Sequence, residues 1–274
     1  MSDLYQFEDV GYFAEKAPAE GDRWRRVAVG AIIVVLALFL AVELVYYLIV
    51  VPATAPVNLT VQTSGSVGYD EVCAMAGITG RERWASFDAA EIASRLAGNP
   101  VFERVSVEKS FPDRVSVTLV ERVPVAISFA EIGGKTVPIE IDRSGVAFRV
   151  GASVREAALP LLTGLTFENF VPGTRLNPAL KGLLEQITLV EERNPVLLAS
   201  VSEIKVDQKP YGGYDLVVYP VHVPVRVRTD KTLNEDALQY MMLVLDVVKD
   251  MRVDVDEIDI RAGTVSYRAK GEAL

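Results

Sequence analysis

Between Val27 and Val51 the chain reads VAVGAIIVVLALFLAVELVYYLIVV, with Glu43 as its single charge. At about 1.5 Å per residue the run is longer than a hydrocarbon core of roughly 30 Å, so it predicts one membrane-spanning helix over residues 27–51. Pro52 is expected to stop that helix. Arg23, Arg25 and Arg26 crowd its N-terminal edge beside Trp24, and Tyr46 and Tyr47 sit near the other end. Clustered arginines mark the cytoplasmic side and aromatic rings mark the interfaces. Residues 1–26 are therefore expected to be a cytoplasmic tail, with the remainder exported. Ala53 and Ala55 form an A-x-A pattern, but the apolar run is much longer than the roughly 7 to 15 residues of a signal h-region. The segment reads as an uncleaved anchor. Glu43 is costly in lipid; it either faces a polar partner or, lying within about 12 Å of the outer end, snorkels or protonates.

Past Pro52 the period changes. Val57 to Thr63, VNLTVQT, alternates apolar and polar positions as a half-buried strand does. Tyr69 to Ala76 puts Val72, Cys73 and Ala76 on one helical face, with Gly77 as the stop. A second helix starts after Asp88, with Glu91 at capping-box spacing, Ile92 and Leu96 on one face, and Gly98 after the last turn. Strands at Val101 to Lys109 and Val115 to Val120 follow, joined by the Pro112-Asp113 turn. Val105, Val107, Val115, Val117 and Leu119 line one face of this pair. The order is β-α-α-β-β. The next apolar run straddles Pro124, which has no N–H and must occupy an edge, a bulge or a strand start. One extended segment can leave the first sheet there and enter a second.

Further along, Asn177 and Pro178 form an N-cap and N1 pair before the stripe Leu180, Leu183, Leu184, Ile187 and Val190, which ends near Asn194-Pro195. Strands are expected at Ser202 to Asp207, Tyr214 to Tyr219 and Val221 to Arg228, separated by KPYGG and Pro220. Thr232 and Glu235 suggest a capping box for a helix reaching about Lys249, with Leu233, Ala237, Met241, Leu245 and Val248 inward. Residues 257–268 close the chain as a strand.

Composition narrows what such a chain does. Its 274 residues are half hydrophobic, enough for one large domain or two modest ones, and two are expected. Net charge is -9, which opposes binding to nucleic acid. Residues 52–274 hold 30 acidic and 24 basic side chains, a balance that favours solubility without naming a partner. The lone cysteine, Cys73, permits neither an intramolecular disulfide nor a cysteine metal cluster and reads as a small buried residue. His222 is the only histidine and falls in an expected strand, where a satisfied side chain is the simpler reading than a catalytic base. DVDEID at 254–259 lacks the glycine and terminal glutamate of an EF-hand loop and reads as a solvated acidic turn. No catalytic, cofactor or metal site is expected.

The β-α-α-β-β order resembles a POTRA module. NPVFERVSVEKSFPDRVSVTLVERVPVA, residues 99–126, is similar to its closing hairpin in the FtsQ/DivIB family of bacterial division proteins, with Pro112, Glu121, Arg122, Pro124 and Ala126 at the family's motif positions. IDRSGVAF at 141–148, LPLLTG at 159–164, SEIKV at 202–206 and EIDIR at 257–261 resemble later family segments in the same order. The resemblance implies an α+β protein: an anchor, a POTRA domain at 56–124, a mixed β domain with flanking helices at 125–268, and a tail at 269–274. It also implies a non-enzymatic scaffold at the division septum that helps control septal peptidoglycan synthesis. POTRA and the transmembrane helix would meet other divisome membrane proteins. Small coiled-coil subunits of the FtsB/DivIC and FtsL type would dock on the β-domain edge near the chain end, at Ile260, Arg261, Gly263, Thr264, Val265, Ser266 and Tyr267. An aromatic often follows the family's Asp-x-Arg motif, whereas Ala262 stands here, which shifts the expected anchor to Tyr267. Uncovered strand edges accept added strands, which agrees with that placement. The alternatives are an anchored cell-wall enzyme, which should show converging catalytic residues, and an outer-membrane transport protein, which would need a long barrel.

Overall fold

A computed structural model describes residues 20–154, 159–167, 170–251 and 254–270. Of the expected tails at 1–26 and 269–274, residues 1–19 and 271–274 lie outside the described residues. The chain divides into two compact units, the first of which joins residues through Asn58 to the short segments Arg81–Phe87 and Ser110–Arg114. Its main element is α1 (Glu20–Val45), which runs into a π turn (Tyr46–Val50) and then α2 (Val51–Thr54). Together they give one apolar helix long enough to cross a membrane, Arg23–Thr54. Pro52 does not stop this helix. It has no N–H to donate and its ring crowds the preceding turn, and the backbone widens there, with Val51 N–H donating five residues back to Tyr46 O. The helix ends at Thr54, whose hydroxyl donates back to Val50 O at 2.9 Å. Within the same unit Val57 N–H donates to Glu82 O at 2.9 Å, and the rings of Trp84 and Phe111 meet edge to face with centroids 5.6 Å apart.

The second unit begins as a three-stranded sheet under two helices. Its elements are β1 (Asn58–Thr63), α3 (Tyr69–Ala76), α4 (Ala89–Ala97), β2 (Phe102–Ser110) and β3 (Arg114–Glu121), with strand order β1-β3-β2. Val72, Ala76, Ile92 and Leu96 from the helices and Val115, Val117 and Leu119 from the central strand are buried, while Val105, Val107 and Cys73 are half-buried. Gly77 ends α3 with φ 71°, the left-handed C-cap the sequence calls for. Asp88 caps α4 by accepting from Ala90 N–H and Glu91 N–H, each at 3.0 Å. Glu91 does not complete a capping box; it pairs instead with Arg95, one turn on, at 2.8 Å.

Pro124 is the first residue of β4 (Pro124–Ile132), and the register shifts between Pro124 and Ala126, so its missing donor falls at a strand start beside a bulge. The elements that follow are β5 (Lys135–Asp142), β6 (Ala147–Val150), β7 (Leu161–Thr163), α5 (Lys181–Arg193), α6 (Pro195–Leu198), β8 (Val201–Gln208), β9 (Tyr214–Pro220), β10 (Arg226–Thr229), α7 (Glu235–Asp250), β11 (Val255–Asp259) and β12 (Ser266–Ala269). They build a nine-stranded mixed sheet in the order β12-β11-β10-β9-β8-β7-β4-β5-β6. Leu183, Leu184, Ile187 and Val190 of α5 and Leu238, Met241, Leu245 and Val248 of α7 share one core with Ile141, Ile204, Leu216, Val218 and Ile258 of the sheet.

Several boundaries differ from the pattern-based expectation. The strand expected at 221–228 shrinks to β10, because β9 runs on through Pro220, and Pro224, with no N–H, precedes the new ladder; His222 falls in an exposed bend. Asn234, not Thr232, caps α7 by accepting from Ala237 N–H at 2.9 Å, and Leu233 is buried ahead of the helix. The acidic run at 254–259 is not a solvated turn; it forms β11, with Asp256 and Glu257 paired to Arg226 and Arg268.

The passage from β3 into β4 is held by buried charge. Arg149 on β6 donates to Glu140 on β5 at 3.0 Å and to Glu121 at the end of β3 at 3.1 Å. Glu121 also accepts from Val67 N–H at 2.7 Å. Gly65 is required beside it: a Cβ there would sit 2.2 Å from the Glu121 carboxyl carbon. Next along the chain, Arg122 donates to Pro100 O at 2.9 Å and to Asp142 at 2.6 Å, and Asp142 closes the β5–β6 turn by accepting from Ser144 N–H and Val146 N–H. Removing one partner from a buried ion cluster leaves charge uncompensated, typically at a cost of about 3 to 5 kcal/mol. Arg149→Ala is therefore expected to lower unfolding free energy by about that amount in urea titration of the solubilised chain. A loss under about 1 kcal/mol would show that the cluster is solvated.

Candidate partner-binding edge

The residues expected to bind a partner are not one strand. Residues 257–268 fold as β11, a tight turn at Arg261–Gly263 in which Gly263 takes φ 72°, and β12, which returns antiparallel. The turn divides the seven candidates. Ile260 is buried, and its N–H donates to Arg228 O at 3.0 Å, so it belongs to the fold. Arg261 is tied down by ion pairs. Gly263, Thr264, Val265, Ser266 and Tyr267 are exposed, Val265 at 45% and Tyr267 at 51%. Neither Val265 nor Tyr267 is part of the buried core.

β12 is the terminal strand of the nine-stranded sheet, so one of its edges has no neighbouring strand among the described residues. The opposite end is less open: beyond β6, Ala147 N–H donates to Thr174 O and Gly173 N–H to Ala147 O. Register sets the side chains of β12 on two faces. Tyr267 stands opposite Ile258, on the core face, whereas Ser266 and Arg268 stand opposite Asp259 and Glu257 on the other.

That other face is charged. Arg228 pairs with Asp207 at 2.6 Å, Arg226 and Arg268 converge on Asp256 at 2.7 and 3.0 Å, and Arg261 donates from Nε to Asp259 at 2.9 Å. Asp215 is nearly buried and receives both Lys209 at 2.6 Å and Arg261 at 2.7 Å. A 440 Å³ cleft opens there, lined by Asp215, Asp230, Asp259, Arg261, Thr264 and Ser266 among others. Burial pushes the Asp215 carboxyl up, but hydrogen bonds from Lys209 and Arg261 outweigh it and hold the group below the usual carboxylate range. The Arg261 hydrogen bond likewise lowers Asp259, and the two aspartates raise Arg261 further. Arg261 therefore acts as a clamp on the turn that presents β12.

Of the membrane-facing candidates, Trp24, Arg25, Arg26, Glu43, Tyr46 and Tyr47 are all exposed on α1 and the π turn, and the two tyrosine rings meet edge to face at 5.6 Å. Elsewhere, a 530 Å³ cleft beside Glu121 is lined by Val123, Pro124, Arg143 and Glu192 among others; no histidine or cysteine lines it, and its Glu121 and Asp142 carboxylates are both ion-paired. No group of three metal-ligating side chains occurs among the described residues. Pattern reading missed Arg149 and Glu140. The available signal was Glu140, a charge between Ile139 and Ile141 in an apolar stretch.

The family model described as POTRA domain, FtsQ-type, matches residues 58–122. Over 162 residues the chain is 30% identical to a cell division protein FtsQ from a Geobacter species, covering 59% of this chain and 57% of that protein. It is 26% identical over 159 residues to the FtsQ of Geotalea daltonii, covering 58% and 54%. The chain thus spans less than three-fifths of the length of these curated relatives. The solved extracytoplasmic domain of DivIB from Geobacillus stearothermophilus aligns with 48% of this chain and 98% of its own length, at 16% identity and a TM-score of 0.32.

Depressed carboxylates give the clamp a pH signature. A lowered folded pKa contributes stability that is present above the unfolded value, about 3.9 for Asp, and is lost as pH falls through the folded value. Protection factors of β11 and β12 amides, with the intrinsic pH dependence of exchange divided out, should therefore stay high at pH 5 to 7 and fall below about pH 4. In Asp215→Asn that fall should be weaker; an unchanged pH profile of protection would remove Asp215 from the clamp.

Proposed function

We infer that this chain, which belongs to the FtsQ/DivIB family of bacterial cell division proteins, is a membrane-anchored scaffold of the division machinery. The reading assigns residues 1–26 to the cytoplasm, 27–51 to the membrane and the remainder to the outside, with the POTRA domain at 56–124, the β domain at 125–268 and a tail at 269–274. The scaffold resides at the septum in the cytoplasmic membrane, binds without catalysing, and helps control septal peptidoglycan synthesis. Coiled-coil subunits of the FtsB/DivIC and FtsL type dock on the open side of β12, while POTRA and the transmembrane helix meet other divisome membrane proteins. The observation that carries this reading is the pairing of an FtsQ-type POTRA domain behind an apolar helix with a terminal strand that has no neighbour on its outer edge among the described residues, with Val265 just before it and Tyr267 within it exposed. Such an edge offers main-chain hydrogen bonds for affinity and alternate side-chain positions for selectivity.

Tyr267→Ala removes the side-chain anchor, and Val265→Pro disfavours docking at the strand entrance. Co-purification of the coiled-coil partners should fall in both variants while the thermal midpoint drops by only a few degrees, about the effect of 1 kcal/mol or less. Unchanged recovery in both would exclude the edge. The arginines before the span set a second expectation: protease added to intact spheroplasts should digest the large C-terminal part and spare a tag placed at residue 1. Digestion of that tag would reverse the orientation.

A further inference from the structure

The edge reading leaves α7 unexplained. A helix packed on one sheet usually needs an apolar stripe a little over 100° wide. On α7 the buried Leu238, Met241, Val244, Leu245 and Val248 fill that stripe. Apolar residues then continue around one flank as Tyr240, Leu243, Val247 and Met251, exposed at 40, 61, 53 and 52%. At 3.6 residues per turn the apolar arc reaches roughly 220°. The other flank is polar and already occupied: Glu235 accepts from Asn194 at the α5–α6 junction at 3.1 Å, and Met242 receives the Ser200 hydroxyl after α6 at 3.7 Å. The exposed apolar flank therefore faces away from α5 and α6. Since α7 connects β10 to β11, which pair in parallel, and β12 lies outside β11, that direction is toward the free edge. Tyr267 is on the same sheet face, opposite Ile258, which shares a core with Met241 and Val248.

We propose that the α7 flank and Tyr267 form one continuous docking surface, and that its occupant is the partner segment that pairs with β12, carrying large apolar side chains at the alternate positions that point toward α7 and Lys or Arg at its margin. The proposal rests on the edge reading and specifies its selectivity. A strand added to β12 would lie about 4.8 Å beyond it, so every second side chain would project beside Tyr267 and under the exposed flank. The margin chemistry follows from charge: Asp236, Asp246 and Asp250 are exposed on α7, an acidic rim that favours basic residues. A polar strand would gain the same main-chain bonds at β12 but leave Leu243 and Val247 exposed.

Photo-crosslinking side chains placed singly at Tyr267, Leu243, Val247 and, on the opposite flank, Asp246 of the full chain in native membranes test this. The peptides captured would be read by mass spectrometry. Tyr267, Leu243 and Val247 should capture the same partner polypeptide, at positions a few residues apart, and Asp246 should not. Leu243→Glu should lower recovery of that partner at the Tyr267 crosslinker at least tenfold, and Leu243→Met should keep it within twofold. Capture at Tyr267 without capture at Leu243 and Val247, or capture of a different polypeptide there, overturns the proposal and leaves the edge reading intact. Capture at Leu243 without Tyr267, or at neither, overturns both.

Discussion

Arg149 carries two carboxylates that come from different parts of the chain, Glu121 at the end of β3 and Glu140 in the middle of β5, and all three groups are nearly or fully buried. Ions removed from water persist only where their geometry and remaining hydrogen bonds compensate the desolvation, typically several kcal/mol per ion. Here the compensation is spread over the surroundings: Val67 N–H on Glu121, Gly65 vacating the space beside it, and Arg122 held between Pro100 O and Asp142. A three-stranded sheet and a nine-stranded sheet are thereby joined by more than the peptide that runs through Pro124.

At the far end of the large sheet the same chemistry does a different job. Arg261 is held by Asp259 and Asp215, with Lys209 also on Asp215, around a turn that must reverse direction within three residues. Exposed ion pairs contribute little individually, but Asp215 is nearly buried and bridged from two sides. The clamp adjoins a four-residue strand whose outer edge has no neighbouring strand among the described residues. Short, charge-flanked edge strands also resist indiscriminate pairing.

Local sequence determined the elements and much of the order. A long apolar run specifies a membrane helix whatever follows it, because no other local arrangement satisfies its backbone in lipid. Asp88, Gly77, Asn177 and the stripe from Leu180 to Val190 act within a few residues of themselves, and each is found in its expected role. Pro124 at a strand start follows from a missing N–H alone.

Only the tertiary structure decided what depends on residues distant in the chain. Glu121, Glu140 and Arg149 are unremarkable charges along the sequence and become one buried group only when β3, β5 and β6 meet. Pattern reading extended a single strand through 257–268, because alternation survives a turn at Gly263 that reverses the chain. Glu235, expected in a capping box with Thr232, instead accepts from Asn194, a residue far earlier in the chain, while Asn234 caps α7. The exposed flank of α7 is the clearest case: its apolar arc is written in the sequence, but that Leu238, Met241 and Leu245 are buried while Leu243 and Val247 are exposed is decided by packing. Periodicity reports which residues share a face; the strand order, set by long-range pairing, reports which face has a neighbour.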